Sequence, residues 1–337
     1  MATIDILIPT YNGAKVIIPT LKSILSQNYK NFNIIICDDA STDNTVLEIK
    51  KIKNYLKIKN SKLKIISNSR NLGYPKNLER GRSYCHSPLL FLMGQDDILA
   101  KNCLKTYVNL FKNNPKVGAI TRPYFWFNKN IKIPVRAKKQ LNPQKNQIVK
   151  ITDSPHKIIS VFDTLDQLSG LAYRQKFMDT PFHPDIFPCH IYPFASIFLK
   201  HPVIFLKDYT IAVRIESSQS RHLSSIYNQS PILSWYQMIN NIFNSKPKIK
   251  KYLIKDFVAK NYIGLLQIKN YSTPQNLVRE IYYLVKFRPQ NLWSLSFWTF
   301  SLFSFFTPPF LLIPLVSWYK KYIYAKTLKH INFDYEF

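Results

Sequence analysis

Four short apolar runs, each ending in polar side chains, alternate with segments of helical spacing in the first hundred residues. The runs occupy residues 4–12, 32–41, 63–69 and 88–97. Between the first two, apolar side chains recur at Leu21, Ile24 and Leu25, as on one face of a helix. Strands that alternate with helices form right-handed β-α-β units and a mostly parallel sheet. The sequence therefore predicts an α/β fold with a mostly parallel central sheet flanked by helices.

Polar side chains follow each of these predicted strands at its carboxyl end. They are Tyr11 and Asn12, Asp38 and Asp39, Arg70, and Asp96 and Asp97. Ligands of open α/β sheets bind beyond the carboxyl ends of the strands. A carboxylate at the end of a buried strand is costly unless it binds something or faces water. An acidic turn is the simpler alternative for Asp96 and Asp97 alone, but the convergence on one edge predicts a binding site.

The chain is strongly basic, with 47 Lys and Arg residues against 19 Asp and Glu residues and a net charge of +28. This charge favours an anionic partner such as nucleic acid, an acidic membrane surface or a phosphorylated substrate. An A+T-rich coding sequence, which the abundance of Lys, Asn and Ile indicates, is the alternative source of the charge. We expect no nucleic-acid partner, because no nucleic-acid motif is visible and the strand-end acids would repel phosphates without a metal.

The four cysteines, Cys37, Cys85, Cys103 and Cys189, have neither CxxC nor metal-ligand spacing. They are expected to be reduced thiols, which fits a cytoplasmic compartment. No signal peptide is visible before the first predicted strand.

The middle of the chain contains a basic segment at residues 128–160, where eight Lys and Arg residues face the single acid Asp153. We interpret this segment as a partly mobile loop over the site, with a solvated excursion as the equal alternative. Residues 161–225 return to strand-like sequence. Residues 226–290 have helical apolar repeats.

The C-terminal part, residues 291–337, begins with an apolar segment that has no charge over Leu292–Trp318. A membrane span needs about 20 apolar residues, but Pro308 and Pro309 divide this segment. Basic residues flank it on both sides, and positive flanks stay cytoplasmic. We therefore expect a kinked re-entrant or in-plane anchor on the cytoplasmic face of the cell membrane. A helical pair packed on the domain is the alternative.

The strand-end acids suit a divalent cation, because Mg²⁺ and Mn²⁺ take one or two protein carboxylates and fill their shell with water and phosphate oxygens. A cation on a diphosphate makes it a better leaving group by neutralising its developing charge. Asp38 and Asp39 could accept a hydrogen bond from a nucleobase N–H. Together these features describe a nucleoside-diphosphate-activated donor.

From Thr3 to Arg221 the chain resembles the family 2 glycosyltransferases of the GT-A fold. The family's strand ending in Pro-Thr-Tyr-Asn is similar to Pro9–Asn12, and its N-x-G motif is similar to Asn71–Gly73. Its DDxSxDxT motif is matched by Asp38, Asp39, Ser41, Asp43 and Thr45. The resemblance implies a Rossmann-like GT-A domain over residues 1–225. Residues 1–127 would be its nucleotide-sugar half, 128–160 the basic loop and 161–225 the acceptor half.

The resemblance also implies a set of site residues. The nucleotide-sugar would contact Pro9, Thr10, Tyr11, Asn12, Asp38, Asp39, Arg70, Gly73, Asn77, Gln95 and Asp96. Asp96 and Asp97 would bind the Mn²⁺ or Mg²⁺ ion, although Gly94 stands where the family usually has its first acid. The family's Glu-Asp pair, which supplies the catalytic base, falls on Cys189 and His190. His190 and, as its rival, Asp185 are therefore the candidate bases.

The implied reaction is transfer of a sugar, with inversion, from a nucleoside-diphosphate-sugar to a hydroxyl of a glycan or lipid-linked acceptor. This activity belongs to the synthesis of cell-surface polysaccharide or glycolipid. A UDP-sugar is the favoured donor, with GDP- and dTDP-sugars as alternatives. Because the first acid and the Glu-Asp pair are missing, a degenerate GT-A domain that binds nucleotide-sugar or glycan without turnover is the alternative function.

Overall fold

The computed structural model describes residues 3–55, 62–215 and 224–336. These residues divide into two compact units. The first contains residues 3–184, 189–215 and 328–336, and the second contains residues 185–188 and 224–327. The predicted boundary at residue 225 lies close to this division. The final residues, 328–336, group with the first unit instead of with the apolar segment that precedes them.

Twelve strands are described in the first unit. They are β1 (Ile4–Thr10), β2 (Phe32–Asp38), β3 (Leu63–Ser67), β4 (Leu89–Leu92), β5 (Ile98–Leu99), β6 (Ala119–Thr121), β7 (Phe125–Phe127), β8 (Pro134–Ala137), β9 (Gln147–Val149), β10 (Ala172–Arg174), β11 (Val203–Phe205) and β12 (Ile211–Arg214). The helices of the same unit are α1 (Ile17–Leu25), α2 (Thr45–Tyr55), α3 (Tyr74–Arg82), α4 (Cys103–Asn113), α5 (Pro155–Asp163) and α6 (Ile191–Lys200).

Eight of these strands form one sheet in the order β3-β2-β1-β4-β10-β6-β11-β9. The strands β3, β2, β1 and β4 are all parallel, as are β6 and β11. The strand β10 runs antiparallel to both β4 and β6, and β9 is an antiparallel edge strand. The α/β fold with a mostly parallel central sheet is therefore confirmed.

The parallel half of the sheet is buried on both faces, which explains its continuous apolar sequence. Ile4, Ile6 and Ile8 of β1 join the main hydrophobic core with Ile34 and Ile36 of β2. The polar residues that follow these strands leave the core at one edge, because parallel strands all end on the same side. This edge carries the candidate site.

A second sheet of four strands has the order β5-β12-β7-β8. One of its faces carries Phe125 and Phe127, against which Ile331, Phe333 and Tyr335 of the C-terminal tail pack. The predicted loop at residues 128–160 is wrong in part, because it contributes β8 to this sheet and β9 to the edge of the large sheet. Three- and four-residue strands are too short to show a periodic pattern in sequence.

The second unit is helical. Its α-helices are α7 (Pro231–Ile242), α8 (Pro247–Tyr252), α9 (Gly264–Tyr271), α10 (Pro274–Phe287), α11 (Leu295–Phe306) and α12 (Pro309–Tyr322). The break between α11 and α12 falls at Thr307 and Pro308, where the paired prolines were expected to divide the apolar segment. Across the described chain, no helix is both long and apolar enough to span a membrane.

The last two helices of this unit expose large apolar side chains. Phe306 and Phe310, on either side of the break, are each 73% exposed, and Trp293 just before α11 is 91% exposed. Leu295, Leu302, Leu311, Leu315 and Trp318 are also exposed. Folded proteins rarely leave so extended an apolar surface in contact with water.

Candidate functional site

Asp38 closes the turn that follows β2. Its Oδ1 accepts hydrogen bonds from the hydroxyls of Thr10, at 3.1 Å, and Ser41, at 2.5 Å. Its Oδ2 accepts one from the backbone N–H of Ser41 at 3.0 Å. Since Asp38 is only 2% exposed, its carboxylate joins the ends of β1 and β2 and presents little surface to a ligand.

Asn12 fixes the first loop against the second. It has a left-handed backbone with φ of 48°, which Asn tolerates better than most residues. Its Oδ1 accepts a hydrogen bond from the N–H of Thr42 at 2.8 Å, and its own N–H donates to the Ser41 hydroxyl at 2.9 Å. The Pro-Thr-Tyr-Asn turn and the Asp38–Thr45 turn therefore form one connected structure.

Asp39 organises the loop between β3 and α3. Its Oδ1 accepts hydrogen bonds from the N–H of Leu72 at 2.7 Å and from Asn68 Nδ2 at 2.8 Å. Its Oδ2 accepts one from the N–H of Gly73 at 2.9 Å. Gly73 has a φ of 83°, which favours glycine at this position. The Arg70 side chain is exposed beside this loop.

A chain of amides stands behind Asp39. Asn77 Nδ2 donates to the carbonyl oxygen of Cys37 at 2.8 Å, so its Oδ1 is free to accept from Asn68 Nδ2 at 2.9 Å. Sequence reasoning included Asn77 but missed Asn68. Asn68 comes directly after β3, and the other strands are also followed by polar site residues. This position would have indicated Asn68 from the sequence.

Gln95 ties the end of β4 to the end of β1. Its side-chain amide accepts from the N–H of Tyr11 at 3.0 Å and donates to the carbonyl oxygen of Tyr11 at 3.1 Å. The approach is close, because a Cβ at Gly13 would lie 2.4 Å from Gln95 Oε1. The backbone of Tyr11 is thus held by Gln95, 84 residues further along the chain.

Asp97 faces the protein interior. Its Oδ1 accepts from the N–H of Arg214 at 3.0 Å, and its Oδ2 accepts from the hydroxyl of Ser169 and from Gln167 Nε2 at 3.3 Å. Burial, and then the neighbouring charge of Asp96, raises the pKa of Asp97 well above its usual value. The prediction that Asp97 is a metal ligand conflicts with this geometry, because both of its oxygens are already used inside the protein.

The position of Gly94 has no room for an acidic side chain. A Cβ there would lie 2.9 Å from Asp97 Oδ2 and 3.0 Å from Ser169 Oγ. The N–H of Gly94 also donates to Ser169 Oγ at 2.7 Å. The missing first acid of the motif is therefore compatible with the inward turn of Asp97, which fills the same space.

The metal-binding capacity of the site consequently depends on Asp96. Within the described residues, no group of three or more His, Cys, Asp or Glu side chains could hold a metal ion. Asp96 is half-buried and follows β4 at the site edge. One carboxylate, with diphosphate oxygens and water, is a sufficient set for Mg²⁺. The residues therefore fit a cation that arrives with its nucleotide, and not one held by the protein alone.

His190 lies at the start of α6 with both ring nitrogens in hydrogen bonds. Nε2 lies 2.9 Å from the carbonyl oxygen of Leu165, and Nδ1 lies 3.0 Å from the hydroxyl of Tyr74. A carbonyl oxygen only accepts, so Nε2 carries the proton and Nδ1 accepts from Tyr74. Burial lowers the pKa of His190 to about 4. The ring therefore has no spare lone pair for a substrate proton, which conflicts with its predicted role as a base.

The rival base, Asp185, belongs to the short segment that groups with the helical unit. Its Oδ1 accepts a hydrogen bond from the N–H of Phe187 at 3.2 Å. Its catalytic role stays a prediction.

Comparison with known proteins gives one family. Residues 5–162 match the family model described as glycosyl transferase family 2. An uncharacterized glycosyltransferase of Haemophilus influenzae is 23% identical over 298 residues, which cover 83% of this chain and 84% of that protein.

Two Escherichia coli enzymes match shorter stretches. Both are UDP-Glc:alpha-D-GlcNAc-diphosphoundecaprenol beta-1,3-glucosyltransferases. WfgD is 28% identical over 112 residues, which cover 33% of this chain and 42% of that protein. WfaP is 47% identical over 73 residues, which cover 21% of this chain and 29% of that protein. The matches thus span less than half the length of either enzyme.

Solved structures show the same fold. Staphylococcus aureus TarS 1–349 in complex with UDP superposes with a TM-score of 0.63 at 15% identity, covering 96% of this chain and 92% of that one. A mannosyltransferase from Pyrobaculum calidifontis, in complex with GDP-Man and Mn²⁺, superposes with a TM-score of 0.55 at 14% identity, covering 89% and 85%. At these identities the likeness concerns the fold alone.

Proposed function

Because residues 5–162 match the family model of glycosyl transferase family 2, we propose that the protein belongs to this family and transfers a sugar from a nucleoside-diphosphate sugar to a hydroxyl of a lipid-linked or polysaccharide acceptor. The observation that carries the proposal is the connected network of strand-end residues around Asp38, Asp39 and Gln95. It joins the turns of four neighbouring parallel strands, β3, β2, β1 and β4, at the edge where α/β sheets bind ligands.

The proposed donor is a UDP-sugar. A uracil presents one N–H between two carbonyl groups, and we assign its acceptor to Asp39, with Asp38 as the weaker candidate. The relatives WfgD and WfaP are named for UDP-glucose, and TarS was solved with UDP, which supports this choice. GDP-sugars are the first alternative, since the mannosyltransferase from Pyrobaculum calidifontis was solved with GDP-Man.

The proposed cofactor is a divalent cation held by Asp96 together with the donor diphosphate. When bound, it neutralises charge that develops on the departing diphosphate. Asp97 contributes as a structural residue, because its hydrogen bonds to Ser169 and Arg214 fix the turn that carries Asp96. The backbone oxygen of Asp96 also accepts from Arg214 Nε at 3.4 Å.

The proposed reaction is a direct displacement with inversion. The loops anchored on Asp38 and Asp39 hold the nucleoside, and Tyr11, whose backbone Gln95 holds, lies along it. Rigid hydrogen-bonded turns place the anomeric carbon and the acceptor hydroxyl within reach of each other, which lowers the entropic part of the barrier.

A nucleotide-sugar-binding domain without turnover is the second candidate. The observation that favours it is His190, whose two nitrogens both have protein partners. Hydrolysis of the donor distinguishes the two functions, because a binding domain leaves the donor intact.

The experiment compares the parent protein with Asp96→Asn and with Asp208→Asn, a change at an exposed surface acid. UDP-, GDP- and dTDP-sugars are tested with Mn²⁺ for binding, by calorimetry, and for hydrolysis. We expect Asp96→Asn to lose Mn²⁺-dependent binding, with Asp208→Asn at the parent level. Donor binding without hydrolysis or transfer supports the second candidate, and no binding of any donor overturns both.

We also propose that α11 and α12 lie in the interface of an anionic membrane, on its cytoplasmic face. The exposed Phe306 and Phe310 would enter the acyl boundary, and Trp298 and Trp318 suit the headgroup level. Lys320 and Lys326 follow on the same stretch, and each basic residue near an anionic surface adds about 1 kcal/mol of attraction.

Flotation with phosphatidylglycerol vesicles tests this association. Phe306→Ser with Phe310→Ser should shift the protein from the vesicle fraction to the bottom of the gradient. Leu47→Ser is the matched control, since Leu47 is an exposed apolar residue of α2 in the first unit. Flotation of the double variant at the parent level would contradict the proposal.

A further inference from the structure

The transfer reaction requires a group that takes a proton from the acceptor hydroxyl. The acids closest to the strand ends are poorly placed for this task. Asp38 and Asp97 are at most 2% exposed and hold loops, and Asp39, which is equally buried, is the residue assigned to the nucleobase. Asp96 is the residue assigned to the cation. The base must therefore be another residue, and besides Asp185 the loop that precedes β10 offers one.

Asp166 lies in the loop that precedes β10. Because β10 runs antiparallel to β4, this loop is at the carboxyl end of β4, beside the Asp96–Asp97 turn. The next residue, Gln167, donates from Nε2 to Asp97 Oδ2 at 3.3 Å. The preceding residue, Leu165, accepts from His190 Nε2 at 2.9 Å. Asp166 thus stands between two direct contacts with the candidate site.

Arg122 makes this loop rigid. Its guanidinium is fully buried, and it donates to the carbonyl oxygen of Thr164 at 3.0 Å and to that of Gln167 at 2.8 Å. The two acceptor residues, Thr164 and Gln167, lie on either side of Asp166 in the sequence. Sub-ångström placement of a catalytic group needs support of this kind from its neighbours.

The carboxylate of Asp166 is accessible. Its side chain is 39% exposed, and its Oδ2 lies 3.2 Å from Lys138 Nζ. The hydroxyl of Tyr124 donates to its Oδ1. Burial alone would raise the pKa of Asp166, but the charges of Lys138 and Arg136 and the Tyr124 hydrogen bond hold it below its usual value.

We propose that Asp166 is the general base of the transfer reaction, a role that rests on the function proposed above. The proton of the acceptor hydroxyl moves to the Asp166 carboxylate as the acceptor oxygen forms its bond to the anomeric carbon. The bond between that carbon and the diphosphate oxygen breaks, and its electron pair leaves with the nucleoside diphosphate. The carboxylic acid then returns its proton to water. Tyr124 and Lys138 orient the carboxylate toward solvent.

The test compares Asp166→Asn with Asp163→Asn. Asp163 is a matched control, because its carboxylate lies 3.0 Å from the same Lys138 Nζ. Each protein is assayed with the nucleotide-sugar that the parent hydrolyses fastest. Transfer is measured to a lipid-linked GlcNAc diphosphate acceptor, and hydrolysis is measured as transfer to water. We expect Asp166→Asn to lower kcat by about 10²- to 10⁴-fold. Nucleotide affinity should stay within threefold, and Asp163→Asn should keep parent turnover.

A third variant separates chemistry from structure. Asp166→Ala should regain part of its turnover in formate, a small base that fits the space of the deleted carboxylate, whereas Asp163→Ala should not respond. Asp166→Asn with parent turnover overturns the assignment and leaves the proposed function intact. Equal losses in the Asp163 and Asp166 variants, without formate rescue, overturn it as well. A parent that binds donors but neither hydrolyses nor transfers their sugar overturns both this role and the enzymatic function.

Discussion

The Tyr74 hydroxyl donates to Nδ1 of His190 at 3.0 Å, on a ring whose Nε2 already donates to the carbonyl oxygen of Leu165. Tyr74 begins α3, directly after the loop that Asp39 holds. Leu165 lies next to Asp166, and His190 starts α6. One neutral imidazole therefore connects the start of α3, the loop before β10 and the start of α6.

This arrangement predicts a pH-dependent stability. The folded pKa of His190, about 4, lies below its ordinary value of 6.5, so folding favours the neutral ring. The stabilisation is complete above pH 6.5 and is lost as the pH falls towards 4. Its size is up to about 3 kcal/mol, since each pKa unit is worth about 1.4 kcal/mol.

Urea denaturation at pH 7 and pH 4.5 measures the effect. His190→Gln should lose less of its free energy of unfolding than the parent between these values. His156→Gln, at an exposed histidine, should behave like the parent. An identical pH dependence in all three proteins would mean that His190 does not titrate with folding.

Restoring the missing acid should not repair the metal motif. Gly94→Asp places a Cβ about 3 Å from both Asp97 Oδ2 and Ser169 Oγ, which real side chains avoid. We expect the free energy of unfolding of this variant, measured by urea denaturation, to fall by about 1–3 kcal/mol, as for an overpacked core site. Its Mn²⁺ affinity in the presence of UDP should not exceed that of the parent. Tighter Mn²⁺ binding at unchanged stability would contradict this picture.

Asp39→Ala tests the nucleotide loop. The change removes the acceptor of the Leu72 and Gly73 N–H groups and the acceptor proposed for the nucleobase. A hydrogen bond to a charged group is worth about 1.5–3 kcal/mol, so UDP binding should weaken at least tenfold. Calorimetric titration measures it, with Asp208→Ala as the surface control. A change in UDP affinity below twofold would mean that Asp39 does not contact the nucleotide.

The C-terminal tail should stabilise the first unit. Phe333 packs edge-on against Phe125 of β7 at a centroid distance of 5.1 Å, and the backbone oxygen of Asp334 accepts from the N–H of Lys101 at 2.8 Å. Phe333→Ala should lower the free energy of unfolding by about 2 kcal/mol, less than the 3–5 kcal/mol of a fully buried Phe. The adjacent Asn332 is exposed, so Asn332→Ala should leave stability unchanged. Equal effects of the two changes would show that the tail does not depend on this contact.

The sequence alone determined the parallel half of the sheet and the edge that carries the site. Apolar runs such as β1 and β2 are buried on both faces, and the helices between them require parallel order, so their polar ends must meet on one side. The same reasoning located the break in the apolar segment, because Pro308 and Pro309 cannot continue a helix. These features follow from local chain geometry.

Only the tertiary structure decided the fate of each acid at that edge. Asp96 and Asp97 are neighbours in sequence, yet Asp97 turns inward because Ser169 and Arg214, far along the chain, supply its hydrogen bonds. Asn68 and Asp166 carry no motif, and their positions depend on the amide chain to Cys37 and on buried Arg122. The direction of a side chain beyond a strand end is set by such distant partners, which periodicity does not encode.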